Sequence, residues 1–398
     1  MPSRLKILVL TPEPPYPPAY GGARLRLFNV LARLSATHEF TLLTLVESPE
    51  EKKFIPELEK LCHRLLTFDR KSFLARPTLK ERLQAPAYKC YYSTDIAAAI
   101  TRELTEQQFD LVHVDTPHMA VYTPQLRRSR KIMAATDSAT LGLRSWLGSI
   151  HHPLKKLRAC YTAFIMEQFE RRLYREYNAC VVIADRDRDA VRELCPKLPI
   201  HIIPNGVDLE YFRPQDTTPE EPARLIFTGT MDYEPNVDAV QWFVNRMLPE
   251  IRKRDPRVCF DIVGRAPTKD VLALASHPGV SVTGAVPDMR PYLAKAAIYI
   301  CPLRLGSGMK NKLLEAMAMG KAIVTTAEGA SGNGGRSGSE YVIADEEGAI
   351  IAAIVGLLQN PEKRRQMGQA ARAYVEQQYS WDRTAREFQE LYQAVARA

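Results

Sequence analysis

PLRLGSGMKNKLLEAMAMG, Pro302 to Gly320, follows the apolar run AAIYIC (Ala296 to Cys301) and leads into a second, AIVTT (Ala322 to Thr326). The order reads as strand, glycine-rich loop, helix, glycine stop and strand. A loop that enters a helix N-terminus presents backbone N–H groups without partners, and the helix dipole there favours negative charge. Lys310 and Lys312 place cations in the first turn, where they oppose the dipole and call for an anion beside them. Glu315 follows Lys312 by three residues, so the two share a helix face. A phosphate and hydroxyls, as in a nucleotide with its ribose, would satisfy this set. A solvated Lys312–Glu315 pair on an ordinary βα unit would satisfy it as well.

The same alternation runs outward in both directions. KILVL (Lys6 to Leu10), FTLLTLV (Phe40 to Val46), LVHV (Leu111 to Val114), KIMAATD (Lys131 to Asp137) and ACVVIAD (Ala179 to Asp185) read as strands of the first half. Helices are expected from Ala23 to Ser35, from Pro49 into Leu65, from Pro153 to Asn178 and over RDRDAVREL. HIIPNGVDLEYFRP (His201 to Pro214) is a turn-rich crossing, and an acidic spacer follows it. RLIFTGT, VCFDIVG, VSVTG, IYICP and AIVTT then restart the pattern. The fold class is therefore α/β: two Rossmann-like domains, each a parallel sheet covered on both faces, facing each other across a cleft. One wall of that cleft would carry Gly21, Gly22, His113, Asp115 and Asp137, the other Gly229, Gly264, Gly284 and the opening segment.

A chain of 398 residues with 45% hydrophobic and 25% charged residues suits two domains of ordinary size. No apolar run reaches the length of a membrane span, and MPSRLKILVLTPEPP is too short and too early in proline for a signal peptide. The expected location is the cytoplasm. Seven scattered cysteines without CxxC or metal spacing fit reduced thiols. The charge of +8 is unevenly placed: residues 1–203 hold 31 basic and 22 acidic residues, the remainder 23 and 24. An acidic partner for the first half is implied, either an anionic membrane surface or a diphosphate-linked substrate. No DNA-binding helix or aromatic-interleaved basic stretch points to nucleic acid.

Gly21-Gly22 lies in the first βα loop, where a missing Cβ lets the backbone approach a phosphate; a plain tight turn is the alternative. His113 and Asp115 share one direction near a strand tip, where a histidine could bind a sugar hydroxyl or shuttle a proton, or sit buried and structural. His118 on the next loop is less constrained. Asp185 to Asp189 is a helix-start charge pattern, not a metal site. The basic LKKLR (Leu154 to Arg158), with Trp146 and Leu147 nearby, reads equally as a membrane-interface segment or a solvated helix face. GASGNGGRSG (Gly329 to Gly338) lacks P-loop spacing and reads as a flexible loop near the cleft.

IPNGVD (Ile203 to Asp208), FTGTM…PN (Phe227 to Asn236), the 302–320 segment and the tail YSW (Tyr379 to Trp381) together resemble glycosyltransferase family 4. The resemblance is closest to bacterial sugar transferases associated with exopolysaccharide and exosortase gene clusters. It implies a GT-B fold with an acceptor-binding domain over 1–203, a nucleotide-sugar domain over 204–380, and a helix over 381–398 that crosses back onto the first domain. It implies retaining, metal-independent transfer from a nucleotide-diphospho-sugar to a glycan, lipid-linked or other acceptor, with no cofactor. Peripheral contact with the inner face of a membrane through the basic first domain is compatible with it.

Residue by residue, Glu315 matches the second glutamate of the family's E-x7-E motif, the ribose ligand, while the first falls at Ser307. The family's Arg and Lys after the first strand of the second domain are missing from GTMDYEPN. Lys310 or Lys312, with Arg304 or Arg265, is expected to replace them. At about 100° per residue, the two lysines point about 200° apart and would not both reach one phosphate. Gly229, Gly308 and Asn311 complete the expected donor set with the Gly21-Gly22 loop. His113 and Asp115 fall near the transferred sugar and are the expected catalytic pair, with Asp115 at the more typical histidine position. A nucleotide-sugar epimerase of the same fold and a non-catalytic nucleotide-sugar-binding protein are the competing readings.

Overall fold

The structure, a computed structural model, describes residues 4–16, 22–70, 91–136, 153–215, 218–306 and 308–398. Gly21, Asp137, Trp146, Leu147, His151, His152 and Ser307, all singled out in the sequence or beside residues that are, lie outside them. The chain forms two compact units, Met1–Asn205 with Trp381–Ala398, and Gly206–Ser380.

The first unit is a seven-stranded sheet of β1 (Lys6–Thr11), β2 (Glu39–Val46), β3 (Arg64–Asp69), β4 (Leu111–Asp115), β5 (Lys131–Thr136), β6 (Ala179–Val182) and β7 (Ile200–Ile202). All neighbours are parallel, in the order β3-β2-β1-β4-β5-β6-β7. Ile7 and Val9 of β1 enter one apolar cluster and Leu8 and Leu10 the other, which explains why the strand is an unbroken apolar run. The helix Trp381–Arg397 closes one face, with Phe388, Leu391, Tyr392 and Val395 packed among Ile7, Val9, Leu27 and Leu31. Its apolar residues recur at helical spacing, and each large one buried contributes about 1.5–3 kcal/mol.

The second unit is a six-stranded parallel sheet of β8 (Glu221–Thr228), β9 (Cys259–Val263), β10 (Val280–Gly284), β11 (Ala296–Cys301), β12 (Ala322–Thr325) and β13 (Val342–Ile343). The order β10-β9-β8-β11-β12-β13 is the doubly wound one, and it reverses between β8 and β11. The segment that opens the sequence reading leaves β11 and becomes the helix Asn311–Ala318, so it borders this switch point. In the first unit the reversal lies between β1 and β4.

Two expectations are corrected. The helix drawn from Pro49 into Leu65 is two short helices, Pro49–Lys52 and Ile55–Glu59, followed by the strand β3. β3 pairs with β2 from Thr41↔Arg64 onward, but as an edge strand it is only partly buried and lacks the apolar run of its neighbours. The glycine-rich Gly329–Gly338 stretch is pinned rather than loose: Asn333 is fully buried, and the Tyr379 hydroxyl donates to its carbonyl at 2.6 Å.

Candidate functional site

At the switch point of the second unit, the ends of β8, β9 and β11 bring Gly229, Gly264 and the start of the helix Asn311–Ala318 together. The Lys312 ammonium donates to Asn236 Oδ1 and stands 4.4 Å from the centre of the Phe227 ring. Asn236 is itself held by donating through Nδ2 to the Thr230 carbonyl at 2.8 Å. A Cβ on Gly229 would meet Lys312 Nζ and Asn236 Nδ2 at 2.8 Å, and one on Gly264 would come within 1.7 Å of the Gly229 carbonyl oxygen. Both glycines are therefore required by close approach of backbone to a cation and to backbone.

Glu315 lies one turn further on the face of Lys312. Its carboxylate has no hydrogen bond from the described residues, and its charge acts on Lys312 and on the buried Tyr299. Tyr299 in turn shares a 2.9 Å hydrogen bond with Thr228. Burial pushes the Lys312 ammonium down to about 8, while Cys301 and Glu315 favour its charge. Burial likewise pushes the Glu315 carboxyl up to about 7 against the pull of Lys312. A cation and a carboxyl are thus both held near neutrality at the carboxyl edge of a parallel sheet, beside a helix N-terminus. Such a set suits a ligand that supplies an anion to one and hydroxyls to the other.

The structure separates the two lysines. Lys310 occupies the cap position, with its backbone N–H donating to Asn333 Oδ1 at 2.8 Å and Asn333 Nδ2 donating back to its carbonyl at 3.1 Å. Its ammonium donates to the Gly308 carbonyl at 2.8 Å and pairs with Glu328 at 3.3 Å. Gly308, at φ +71°, makes the turn into this cap, and Asn311 is the first helical residue. Arg304 is not brought to the Lys312–Glu315 pair: it is bonded to Asp238 at 2.5 Å and lies over the Trp242 ring at 4.6 Å. Arg265 is exposed after β9, where its Nε donates to Thr230 Oγ1 at 3.4 Å, close to the loop that Gly229 begins. Asn236 and Asn333 are the residues the sequence reading missed. Both lie within motifs it quoted, but their roles depend on lysines far along the chain.

In the first unit, Gly22 starts the helix Gly22–Leu34. His113 and Asp115 are 1% and 2% exposed. His113 Nδ1 is 2.7 Å from the Tyr392 hydroxyl, and its ring stacks on Phe388 at 5.7 Å. Burial pushes the imidazole pKa down, with Asp115 opposing. Its Nε2 stands 3.8 Å from Asp115 Oδ1, an ion-pair distance too long for a hydrogen bond. Asp115 also accepts from Thr11 Oγ1 at 3.3 Å and faces the Arg26 guanidinium at 3.9 Å. The helix Trp381–Arg397 covers His113 with Phe388 and Tyr392, which is the buried placement that the sequence left open beside the catalytic one. Asp115, beside it, is equally enclosed.

The exposed histidine at that strand end is His118, tilted against Tyr91 with ring centres 4.5 Å apart, and the Arg70 guanidinium lies 4.5 Å over the same Tyr91 ring. Thr116, just after β4, and Thr136, the last residue of the adjacent β5, both adopt φ +66°. A left-handed threonine is strained, and such residues gather at functional sites. Among the described residues, no three His, Cys, Asp or Glu side chains form a metal-ligand group.

Comparison with known proteins matches each unit to a family. The family model described as "Glycosyltransferase Family 4" covers residues 20–211, and that described as "Glycosyl transferases group 1" covers residues 222–360. The GDP-mannose-dependent alpha-(1-6)-phosphatidylinositol monomannoside mannosyltransferase of Mycolicibacterium smegmatis is 24% identical over 396 residues, covering 92% of this chain and 93% of that protein. The uncharacterized 44.6 kDa protein in the cps region of Klebsiella pneumoniae is 19% identical, covering 94% of this chain and 96% of that protein. Among solved structures, Anabaena HepE in complex with UDP has a TM-score of 0.70 at 14% identity, covering 98% of this chain and all of that one (100%). Sucrose-phosphate synthase from Thermosynechococcus elongatus has a TM-score of 0.69 at 15% identity, covering 98% and 99%.

Proposed function

The chain belongs to glycosyltransferase family 4 and has its GT-B fold, and from that premise we propose that Lys312 and Glu315 are the centre of its donor site. It is a glycosyltransferase that uses a nucleotide sugar and an acceptor. In the proposed site, Lys312 and the helix N-terminus hold the diphosphate, and Glu315 accepts from the ribose hydroxyls. Gly229, Gly264 and Asn236 keep the lysine in reach. The observation that carries this reading is the convergence of Lys312, Asn236, Gly229 and the unbonded Glu315 carboxylate at the switch point. Lys310, engaged with Glu328 and Asn333, shapes the loop.

Transfer proceeds with retention and without a metal. The C1–oxygen bond to the leaving diphosphate breaks, the acceptor oxygen bonds to C1 on the same face, and the acceptor proton passes to the diphosphate. The protein supplies position and charge stabilisation for the leaving group, for which Lys312 is suited. The acceptor is a glycan or lipid-linked sugar of bacterial surface polysaccharide, reached from the cytoplasmic side. The cps-region relative and the phosphatidylinositol mannoside mannosyltransferase favour this class.

The experiment is a thermal-shift screen against UDP-, GDP-, ADP- and CMP-sugars, followed by transfer of labelled sugar with and without EDTA. A donor at a hundred times its Kd stabilises the folded state by about 2.7 kcal/mol. One nucleotide class should raise the midpoint, transfer should survive EDTA, and the product anomer should match the donor. No shift with any nucleotide sugar would overturn the site. EDTA-sensitive or inverting transfer would overturn the mechanism.

A further inference from the structure

The chain passes from one unit to the other twice, between Asn205 and Gly206 and between Ser380 and Trp381. On the second unit's side of both passages the two segments are bonded together. Val207 and Ser380 form an isolated parallel bridge, and the Val207 N–H donates to the Tyr379 carbonyl at 2.7 Å. Each end of the helix Asn311–Ala318 is tied to one of these segments. At its N-terminus, Lys310 in the cap position exchanges two hydrogen bonds with the side chain of the fully buried Asn333. The buried Tyr379 donates through its hydroxyl to the Asn333 carbonyl at 2.6 Å. Asn333 therefore joins the cap to the residue that precedes Ser380.

At the C-terminus, the Arg372 guanidinium collects three backbone carbonyls from two segments. Its Nη1 donates to Ala318, the last residue of the helix, and to Phe212, both at 2.6 Å, and its Nη2 donates to Leu209 at 3.2 Å. Its Nε donates to Glu376, one turn along its own helix, Pro361–Gln378. A helix end leaves carbonyls without intrahelical partners, and a cation there suits the dipole. That accounts for the bond to Ala318 but not for Leu209 and Phe212, which lie just past the first passage. Holding both segments at once needs the planar fork of a guanidinium, whereas an ammonium is a single point charge. We propose that Arg372 and Tyr379 are positioning residues for donor binding: they hold the two ends of the helix that carries Lys312 and Glu315 to the segments through which the chain enters and leaves the second unit. The proposal rests on the donor-site reading above. Donor binding is then linked to the arrangement of Val207, Leu209 and Tyr379, and such linkage is reciprocal. Freeing either end of the helix lowers the fraction of molecules in which the site is formed, and apparent affinity falls by that fraction.

The test uses the full chain, and its probe is whichever of the UDP-, GDP-, ADP- and CMP-sugars raises the wild-type melting midpoint. Tyr379→Phe removes one hydroxyl, and Arg372→Lys keeps the charge without the fork. Each should weaken donor binding about two- to tenfold in calorimetry well below the melting midpoint, the net worth of one hydrogen bond. Hydrogen exchange adds a readout that a merely structural role would not move. In wild type, saturating donor should slow exchange of the Val207 amide, whose bond to Tyr379 joins the two segments. In Tyr379→Phe/Arg372→Lys, with donor at the same multiple of its own Kd, that slowing should be lost. Unchanged affinity in both single variants, or a Val207 amide indifferent to donor in wild type, overturns the proposal. So does a double variant that keeps the full slowing. Lys312→Met separates the two claims. If it weakens binding while Tyr379→Phe and Arg372→Lys do not, the donor site stands and the tethers fall. If Lys312→Met binds donor as wild type does, or no nucleotide sugar binds wild type, the donor-site reading itself fails and takes the proposal with it.

Discussion

Glu315→Gln should stabilise the second unit, and only above the acidic range. The carboxyl of Glu315 moves from 4.5 to about 7 in the folded unit because burial disfavours its charge. A raised folded-state value means that between those two pH values the folded unit keeps a proton the unfolded chain has released. Wild-type stability is therefore intact at the lower value and declines as pH rises to the upper one. At about 1.4 kcal/mol per pH unit, the full loss has a ceiling of about 3 kcal/mol. Glutamine carries no charge to bury, but its Lys312 neighbour loses an attraction, which leaves a net gain of about 2 kcal/mol. For a unit of this size that is about 4–8 °C in melting midpoint. Calorimetric or fluorescence melting at pH 4.5 and pH 8, bracketing the values of 4.5 and about 7, reads it directly. The variant and wild type should melt together at the acid end and separate at pH 8, with the variant higher. A variant less stable at pH 8, or equally stabilised at both, would refute the burial argument.

Lys312→Met should weaken nucleotide-sugar binding about 10- to 100-fold, the worth of a charged hydrogen bond. Wild-type affinity should fall as pH rises through about 8, where the free site loses its ammonium proton, and the methionine variant should be flat over that range in calorimetry. Gly264→Ala forces a Cβ to within 1.7 Å of the Gly229 carbonyl. It should cost at least about 2 kcal/mol in denaturant melts and weaken donor binding together; a neutral substitution would contradict the close-packed loops. Tyr392→Phe removes the 2.7 Å partner of His113 and should cost about 1–3 kcal/mol of stability. Transfer per folded molecule should stay near wild type, and a tenfold loss of rate at unchanged stability would restore His113 to the chemistry.

The central strands were legible because a parallel strand buried on both faces is an unbroken apolar run, as in Lys6–Leu10 and Ala296–Cys301. β3, β7 and β13 were not, because short strands with partly exposed side chains carry no such run. That Lys312 and Glu315 share a helix face and act on each other's charge followed from helical spacing alone. The choice between Lys310 and Lys312 did not, because it is made by Glu328 and Asn333, 18 and 23 residues beyond Lys310. The fate of His113 was hidden further away still. Strand alternation places it at a sheet edge where ligands bind, but Tyr392, 279 residues later, covers it. Asn236 sat in plain view in a quoted motif, and only the fold shows that it holds the lysine.

The claim that Lys312 and Glu315 form the nucleotide-sugar site is tested most directly by calorimetric titration of the donor identified by thermal shift into wild type and Glu315→Gln at pH 8. Loss of the charged ribose contact should weaken binding about 10- to 100-fold, in a variant that melts higher than wild type without ligand. Unchanged affinity in that better-folded variant would contradict the account.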